Sequence, residues 1–531
     1  MNIVLDPRAR LLDGGRTLVG GDPWRVLRLT EGGAAVVREL LGDGSGDPGA
    51  HCDGGSGGGA RAGGGAGGSA GGARGPGGAE TGADGRPAQA LAQRLIDSGL
   101  AHPRVTPVPC GEVTVVIPVR DRAAQLDRCL GALLAADAPG RVIVVDDGSR
   151  DAAAVEAVCE RTGCEVIRRE RSGGPAAARN TALETVESGV VALLDSDCVP
   201  EPGWLSLLCG VLAEDRGLGA VGPRVRPLSA RCGEGLRRSG SQTFPASPRS
   251  ALARFTAVRS PLDLGPCPSL VRPGGRTAYL PTAALVARRE ALAPRFDPAL
   301  RYGEDVDLMW RMIDRGWSVR YEPAAVVWHD DPERLRPWLA RRFRYGSSAG
   351  PLALRHPERL APVAIHPRSA AVLGGTAVAM SSRRLPTVAA CLPIALHILA
   401  VSRSLSRHGV PRRAGASLAL QGIRESGAGL GRAATMLGPV PLAAALVHPR
   451  TRTAARALAR PGARRAVLAL ALASPTRDYR RLRPRLDPLR FAALSVADDV
   501  AYGAGVWAGS LQSRTVRALW PRIVGGVSPE A

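Results

Sequence analysis

Alternating strand and helix patterns between residue 111 and about residue 335 constrain the fold of this chain more than any other feature. Apolar runs rich in valine and isoleucine predict strands, and leucines and alanines at helical spacing predict the helices between them. The predicted strands are 113–119, 141–145, 165–168 and 190–194, and the predicted helices are 126–134, 155–161, 172–186 and 306–315. This alternation predicts an α/β domain in which a mostly parallel sheet carries helices on both faces.

Acidic residues follow the predicted strands at the points where those strands end. Asp195 and Asp197 stand two residues apart after the run 190–194, so both side chains can face one ligand. A carboxylate repels a diphosphate, but a divalent cation, which prefers oxygen ligands, can join the two. Ligands of such sheets bind beyond the carboxyl ends of the strands, so this triplet favours a metal-bridged nucleotide site. An isolated Asp-x-Asp is also compatible with a capped turn whose acids are solvated.

Two other nucleotide-binding folds are excluded by the sequence. A Rossmann dehydrogenase needs a Gly-x-Gly-x-x-Gly motif directly after its first strand, whereas here that strand runs through Pro118 into Arg120 and Asp121. A Walker-type phosphate loop needs a lysine, and all 70 basic residues of this chain are arginines.

The charge of the chain is strongly positive and unevenly distributed. The formal net charge is +22, and most of the excess lies after about residue 400. A basic region with interleaved apolar runs suits an anionic membrane surface, although a solvated arginine-rich helical tail fits equally well. Aromatic residues make up only 4% of the chain, which argues against a nucleic-acid partner because few rings are present to stack on bases.

Targeting signals and cysteines indicate a cytoplasmic protein. The N-terminus lacks the basic and apolar segments of a secretory signal, and the ten cysteines show no C-x-x-C pair. We therefore expect reduced thiols and a location at the inner face of the cell membrane. The longest apolar run, 385–401, contains Pro386, Pro393 and His397 and falls short of the roughly 20 residues of a membrane span. Both an interfacial or re-entrant helix and a buried core helix fit it.

The chain divides into three predicted domains. Residues 1–108 contain a helix that begins after Thr30, a glycine-rich tract at about 42–87 that we predict to be disordered, and a helix over 88–98. The two helices resemble parts of a small winged-helix domain of the PqqD-like type, which binds leader peptides by adding a strand. A generic helical cap is the alternative. Residues 109–350 are the predicted catalytic domain, and residues 351–531 are a helical C-terminal region.

Five motif blocks identify a family resemblance when they are taken together and in order. They are Val116–Arg122, Val144–Ser149, Ala176–Asn180, Leu194–Asp197 and Tyr302–Leu308. In this order they resemble family 2 glycosyltransferases of the GT-A fold. The segment Leu18–Leu29 is similar to the opening of glycosyltransferases of the mycofactocin system, a branch thought to attach glucose units to a peptide-derived redox cofactor precursor.

The resemblance implies roles for residues at the donor side. The residues that would bind the nucleotide are Pro118, Arg120, Asp121, Asp147, Arg179 and Asp195. Asp197 would be the main ligand of Mn²⁺ or Mg²⁺, which neutralises the diphosphate leaving group. His329 would complete the metal or diphosphate site, although a lone histidine is more often a surface or core residue. Without the family, Asp146–Ser149 reads as an ordinary turn.

The resemblance also implies the catalytic residues. Asp305 would remove the proton from the acceptor hydroxyl as general base, and Glu304 would orient the acceptor or its loop. Read alone, these acids with Asp307 are simply favoured at the start of a helix by its dipole.

The reaction implied is inverting and metal-dependent transfer of a hexose, with glucose from UDP-glucose expected, to a peptide-derived acceptor. The product would be a short oligosaccharide, because the segment 341–346 departs from the Gln-x-x-Arg-Trp signature of processive synthases. Its arginines can pair with phosphate and close over the nucleotide. Two alternatives stay open: a lipid or cell-wall sugar transferase at the inner membrane, and a peptide-binding scaffold with an inactive transferase domain.

Overall fold

The computed structural model of the protein describes residues 3–22, 24–41, 85–231, 250–381, 391–447 and 461–523. Most of the glycine-rich tract that we predict to be disordered lies outside these residues. Its last residues, 85–87, begin a helix, so the second N-terminal helix starts earlier than predicted.

The described N-terminal residues form two small antiparallel sheets and two helices. Thr30 Oγ1 accepts a 3.1 Å hydrogen bond from Gly33 N and caps the first helix, as predicted. Gly99 follows the second helix with φ +67°, the conformation of a C-terminal glycine cap. Strand β1 pairs with β5, and β2, β3 and β4 form a sheet. The elements are β1 (Ile3–Leu5), β2 (Arg10–Leu12), β3 (Thr17–Gly20), β4 (Arg25–Arg28), α1 (Glu31–Leu41), α2 (Gly85–Asp97) and β5 (Ala101–Pro103). The resemblance to a winged-helix domain stays a prediction.

A mixed sheet forms the centre of the described structure. Its strand order is β10-β14-β11-β13-β9-β6-β7-β8, and β12 pairs with β14. The strands are β6 (Thr114–Val119), β7 (Arg141–Asp146), β8 (Glu165–Arg168), β9 (Val190–Leu194), β10 (Cys198–Pro200), β11 (Leu218–Pro227), β12 (Ser269–Leu270), β13 (Ala284–Arg288) and β14 (Ser318–His329).

Only one half of this sheet has the parallel arrangement that the sequence predicts. Strands β9, β6, β7 and β8 are all parallel neighbours and match the four predicted strands within one residue at each end. Beyond β9 the sheet is mixed, because β13 is antiparallel to both β9 and β11, and β10 and β12 are antiparallel to β14. The prediction of a mostly parallel sheet is therefore wrong for this half, where strands pair across long loops that carry no local signal.

Helices cover both faces of the sheet, as predicted, because successive residues of each strand point to opposite sides. On β6, Val115 and Ile117 belong to one buried cluster and Val116 to the other. The helices around the sheet are α3 (Ala123–Ala136), α4 (Ala152–Thr162), α5 (Gly174–Leu183), α6 (Trp204–Glu214), α7 (Leu228–Arg231), α8 (Ala251–Thr256) and α9 (Glu304–Asp314). The two clusters fix the strand ends from which the functional loops emerge.

The C-terminal half of the described chain is mainly helical. Its helices are α10 (Leu335–Ser347), α11 (Ala349–Arg355), α12 (Pro367–Ser381), α13 (Leu392–Ser406), α14 (Arg412–Leu437), α15 (Pro439–Val447), α16 (Pro461–Leu482) and α17 (Pro488–Gln512), and β15 (Ala364–Ile365) pairs with β16 (Arg522–Ile523). Part of the apolar run 385–401 lies in α13, and the rest is outside the described residues. Among the described helices none has the length and apolar character needed to traverse a bilayer.

Helix α17 crosses α10 and α11 at backbone contact. A Cβ atom on Gly346 would lie 2.0 Å from the carbonyl oxygen of Tyr502, and one on Gly505 would lie 2.0 Å from that of Phe343. One on Gly350 would lie 2.1 Å from the oxygen of Gly509. Only glycine permits such an approach, so these residues hold α17 directly against the helices that follow the central sheet.

Candidate active site

A cavity of about 1020 Å³ opens at the ends of strands β6, β9 and β14. Six of the predicted site residues line it: Arg120, Arg179, Asp195, Glu304, Asp305 and His329. They come from loops and helices that are distant in sequence, so the fold brings the predicted donor and acceptor halves of the site to one cleft. Pro281, Thr282 and Ala283, from the segment that we expected at the acceptor pocket, also line it.

Arg179 connects the two halves of the cleft. Its side chain is only 2% exposed, and Nη2 donates a 2.6 Å hydrogen bond to Asp195 Oδ1. Nη1 lies 3.5 Å from Glu304 Oε1. Asp195 is held in place by its own backbone, because its N–H donates to the carbonyl of Ala283 at 2.9 Å beside the β9–β13 pairing. The guanidinium thus offsets the negative charge of acids from two separate motif blocks.

Glu304 and Asp305 begin α9 after Gly303, whose φ of +81° lets the chain turn into the helix. Asp305 Oδ1 accepts a 2.8 Å hydrogen bond from the N–H of Val306. Burial, together with the neighbouring Asp305 carboxyl, raises the pKa of Glu304 to about 7. Burial also raises the pKa of Asp305 above its usual range, despite that hydrogen bond and the nearby Arg179. A carboxyl whose pKa is raised toward neutrality is suited to accept a proton in the physiological range.

Asp197 and His329 meet because β10 pairs with the end of β14. Cys198 lies opposite His329, and the N–H of Asp330 donates to the carbonyl of Asp197 at 3.0 Å. His329 Nε2 is 3.6 Å from Asp197 Oδ1, and Nδ1 donates to Asp331 Oδ1 at 3.1 Å. Burial alone would lower the pKa of His329, but the two carboxylates outweigh it and raise that pKa to about 9.

The donor set at this end of the cleft fits a divalent cation that also binds a diphosphate. Within the described residues no group of three or more His, Cys, Asp or Glu side chains is arranged to hold a metal by itself. Asp197 and His329 are two such side chains. The guanidinium of Arg122 donates to Asp197 Oδ2, so a metal bound there would replace this contact and the proton of the His329 ring. Remaining coordination positions would be left for phosphate oxygens and water.

Asp121, which is exposed, and Asp147, which is buried, are not among the residues that line the cavity, and both stabilise nearby loops. Asp121 has φ +55° and accepts a 2.8 Å hydrogen bond from the N–H of Arg150. Asp147 is 4% exposed and accepts hydrogen bonds from Arg169, Ser172, and the backbone of Gly173 and Gly174, at 2.7–3.0 Å. Because protein donors surround Asp147, its observed contacts shape the loop that leads into α5.

Pro118 and Arg120 mark the exit of the first sheet strand. Pro118 is buried in β6 opposite Val145, so it fixes the strand end and lies outside the cavity lining. Arg120 lines the cavity, and its Nη1 donates to Ser172 Oγ at 2.9 Å.

Several functional side chains were missed by the sequence reasoning. Arg122 contacts Asp197, and Asp331 contacts His329. Arg122 belongs to the first motif block but was assigned no role, and the only sequence signal of Asp331 was its place two residues after His329. Two of the three arginines of the segment 341–346 are engaged by carboxylates: Arg341 with Asp331, and Arg342 with Asp498, at 2.5 Å between Nε and Oδ1. Closure of this segment over a nucleotide therefore stays a prediction.

Three comparisons describe what the chain is similar to. The model of the family "Glycosyl transferase family 2" matches residues 114–257. The pre-mycofactocin glycosyltransferase of Mycobacterium tuberculosis is 35% identical over 542 aligned residues, which cover 98% of this chain and 97% of that protein. Among solved structures, the mannosyltransferase PcManGT of Pyrobaculum calidifontis, in complex with GDP-Man and Mn²⁺, has a TM-score of 0.34 and 20% identity, covering 73% of this chain and 92% of that one.

The motif order, the mixed sheet with its acid-lined cleft and the similarity over nearly the full length agree with one another. The chain belongs to glycosyltransferase family 2, with a GT-A fold and a helical C-terminal region.

Proposed function

We propose that the protein transfers a hexose, with glucose from UDP-glucose as the expected donor, to the peptide-derived precursor of mycofactocin. The observation that carries the proposal is the shared cleft of Asp195, Glu304 and Asp305, in which Arg179 links the donor acid to the acceptor acids. Similarity over 98% of the chain to a pre-mycofactocin glycosyltransferase supports the choice of acceptor.

Residues at the donor end bind and orient the sugar nucleotide in this proposal. Arg120 and Asp195 face the cavity, where a guanidinium can contact phosphate and a carboxylate can accept bonds from ribose hydroxyls. Asp121 and Asp147 stabilise the conformation of the loops after β6 and β7 around the uracil base of the nucleotide. Asp197 and His329 would hold Mn²⁺ or Mg²⁺, which supplies positive charge to the departing diphosphate.

Asp305 acts as the general base on the acceptor. Its carboxylate takes the proton of the incoming hydroxyl as that oxygen attacks the anomeric carbon opposite the nucleotide, so the configuration inverts. Glu304 lies next to it and orients the hydroxyl. Arg179 holds the charges of Asp195 and Glu304 together, which keeps both acids in the cleft before substrate arrives.

Purified protein with UDP-glucose and Mn²⁺ tests the donor half of the proposal. We expect release of UDP and a product that is heavier by one or more hexose units when an extract containing the precursor is added. Mass spectrometry of the product identifies both sugar and acceptor. Absence of UDP release with every UDP-sugar, together with no increase in melting temperature on adding UDP and Mn²⁺, would overturn it.

A lipid or cell-wall acceptor is the second candidate, and exposed leucines favour a test of it. Leu392, Leu396 and Leu399 lie along one face of α13 and are 58%, 56% and 45% exposed. Together with the positive C-terminal charge they would favour an anionic membrane surface at the inner face of the cell membrane. Flotation of the protein with anionic vesicles measures that binding. If labelled sugar is transferred to components of lipid extracts and not to small-molecule extracts, the acceptor is a lipid and the proposed peptide-derived acceptor is wrong.

A further inference from the structure

Three tyrosines from separate parts of the chain converge on the acceptor side of the cleft. Tyr279 comes from the loop before β13, Tyr345 from α10 and Tyr502 from α17, and all three line the main cavity. Their hydroxyls make no hydrogen bond with any other described residue. By contrast, the hydroxyls of Tyr321 and Tyr479 donate to backbone carbonyls at 2.6 and 3.2 Å. The hydroxyls of these three tyrosines, like that of the exposed Tyr302 in the same cavity, are therefore available for hydrogen bonds to a ligand.

A second cavity of about 420 Å³ continues from this point beneath α17. Tyr279, Arg342 and Tyr502 line both cavities, so the two spaces share a wall. Arg342 lies with its Cζ 5.1 Å from the ring centre of Tyr502, which holds that ring at the junction. The acceptor end of the cleft is consequently deeper than the space around Asp305 alone.

The charged groups of the second cavity are paired with one another. Arg342 Nε is 2.5 Å from Asp498, and Arg432 Nε donates to Asp499 at 2.9 Å. Arg259 lies between Asp499 and Asp478, at 3.4 and 3.7 Å. Asp498 lines the cavity with the three arginines, while Asp478 and Asp499 lie outside its lining. Because each guanidinium is already paired with a carboxylate, the deep end is poorly suited to bind a phosphate. Burial and the Asp305 carboxylate also raise the pKa of Tyr279, so its hydroxyl stays protonated and neutral.

We propose that Tyr279, Tyr345 and Tyr502 form the acceptor site, and that it selects an uncharged acceptor rich in hydroxyl or amide groups. The inference rests on the proposed glycosyl transfer and adds three residues, all outside the span 114–257 that the family model matches. The backbone contacts of Gly346 and Gly505 fix the turn of α17 that carries Tyr502. The hydroxyl of Tyr502 therefore has a fixed position in the cleft, from which it determines acceptor specificity. Phenol hydroxyls both donate and accept, so they match sugar hydroxyls and peptide amides alike.

The test uses the full chain with UDP-glucose, Mn²⁺ and two matched pairs of probes. The pairs are 4-nitrophenyl β-glucoside with its 6-phosphate, and N-acetylserinamide with its phosphoserine counterpart. We expect the neutral member of at least one pair to be glycosylated and the phosphorylated member to be inert. Glycosylation of the glucoside points to a sugar acceptor, and that of the serinamide to a peptide. Preference for a phosphorylated probe, or hydrolysis of UDP-glucose with no transfer to any neutral probe, would overturn the inference.

Tyr502→Phe removes one hydroxyl and keeps the ring, so it separates recognition from folding. We expect KM for the neutral probe to rise roughly 3- to 10-fold, as for the loss of one hydrogen bond, with unchanged KM for UDP-glucose. Tyr479→Phe, whose hydroxyl bonds Leu486 away from the cavity, is the matched control and should leave both KM values unchanged. If Tyr502→Phe and Tyr502→Ala both retain the wild-type acceptor KM, the inference is wrong. Loss of all UDP release in the wild type would instead refute the proposed function.

Discussion

Arg179 donates a 2.6 Å hydrogen bond from Nη2 to Asp195 Oδ1 while its other amino group faces Glu304. The side chain of Arg179 is 2% exposed, so two carboxyls of the cleft depend on one buried cation. Its main role in this structure is to hold the donor and acceptor acids at a fixed separation. Contact between Arg179 and the nucleotide stays a prediction.

Arg179→Gln is expected to destabilise the fold by about 3–5 kcal/mol, because it leaves buried carboxylates without their cation. The free energy of unfolding, measured with urea, reports the change. Arg295→Gln removes an exposed ion pair with Glu184 and should cost less than about 1 kcal/mol. Equal effects from the two substitutions would contradict a charge-balancing role for Arg179.

Asp305→Asn is expected to lower kcat by about 10²–10⁴-fold, because the amide cannot accept the acceptor proton. KM for UDP-glucose should stay the same, since the donor contacts are elsewhere in the cleft. Asp127→Asn, on the surface of α3 and paired with Arg161, should leave kcat unchanged. Full activity of the Asp305 variant in a steady-state assay would show that another group is the base.

The pH profile of turnover should reflect the two acids of α9. Their pKa values are raised, that of Glu304 to about 7, so each is protonated below its pKa and the base is then unavailable. Turnover should therefore rise with pH on the acidic side of neutrality. Glu304→Gln removes the neighbouring charge and should move this limb of the profile to lower pH. If the acidic limb of the pH profile has the same midpoint in the variant and the wild type, the two carboxyls are not coupled.

Asp197→Ala is expected to weaken Mn²⁺-dependent binding of UDP by at least tenfold. Calorimetric titration with and without Mn²⁺ separates the metal-dependent part of the affinity. Glu165→Ala, which breaks a surface pair with Arg141, should bind UDP like the wild type. Should the Asp197 variant keep the full enhancement by Mn²⁺, the metal would have to be held elsewhere.

Gly346→Ala is expected to destabilise the protein by roughly 1–3 kcal/mol, because the added methyl group would collide with the backbone of Tyr502. Gly422→Ala is the matched control in the middle of α14, where a Cβ meets nothing within 4 Å. There alanine favours the helix and should stabilise it by about 0.5–1 kcal/mol. A lower melting temperature for Gly346→Ala and a higher one for Gly422→Ala would support the tight helix crossing. Changes of the same sign in the two variants would contradict it.

The parallel half of the sheet could be predicted because its signals are local. Strand β9 was predicted at 190–194 and lies at Val190–Leu194, since a continuous apolar run followed by Asp195 defines both of its ends. Asp195 was predicted for the same reason, because it directly follows this run. Glu304 and Asp305 were predicted from the resemblance to the family, since these acids alone indicate only the start of a helix. The mixed half was missed, because the antiparallel pairing of β11 with β13 and its parallel pairing with β14 depend on contacts across long loops.

The partners of the site residues were harder to predict than the residues themselves. Arg122 and Asp331 are short-range neighbours of motif residues, but only the folded structure shows which side chains they contact. Tyr502 carries no motif at all. Its position depends on glycines of α10 and α17, and a glycine in sequence does not indicate which backbone approaches it.

At Gly346, Gly350 and Gly505, α17 touches α10 and α11 through bare backbone, so no side chain can adjust there to absorb a shift. A substitution at one of these glycines would move the ring of Tyr502 and, in the proposed assignment, change which alcohol reaches Asp305. Acceptor choice can then be altered by substitutions far from the transferred sugar.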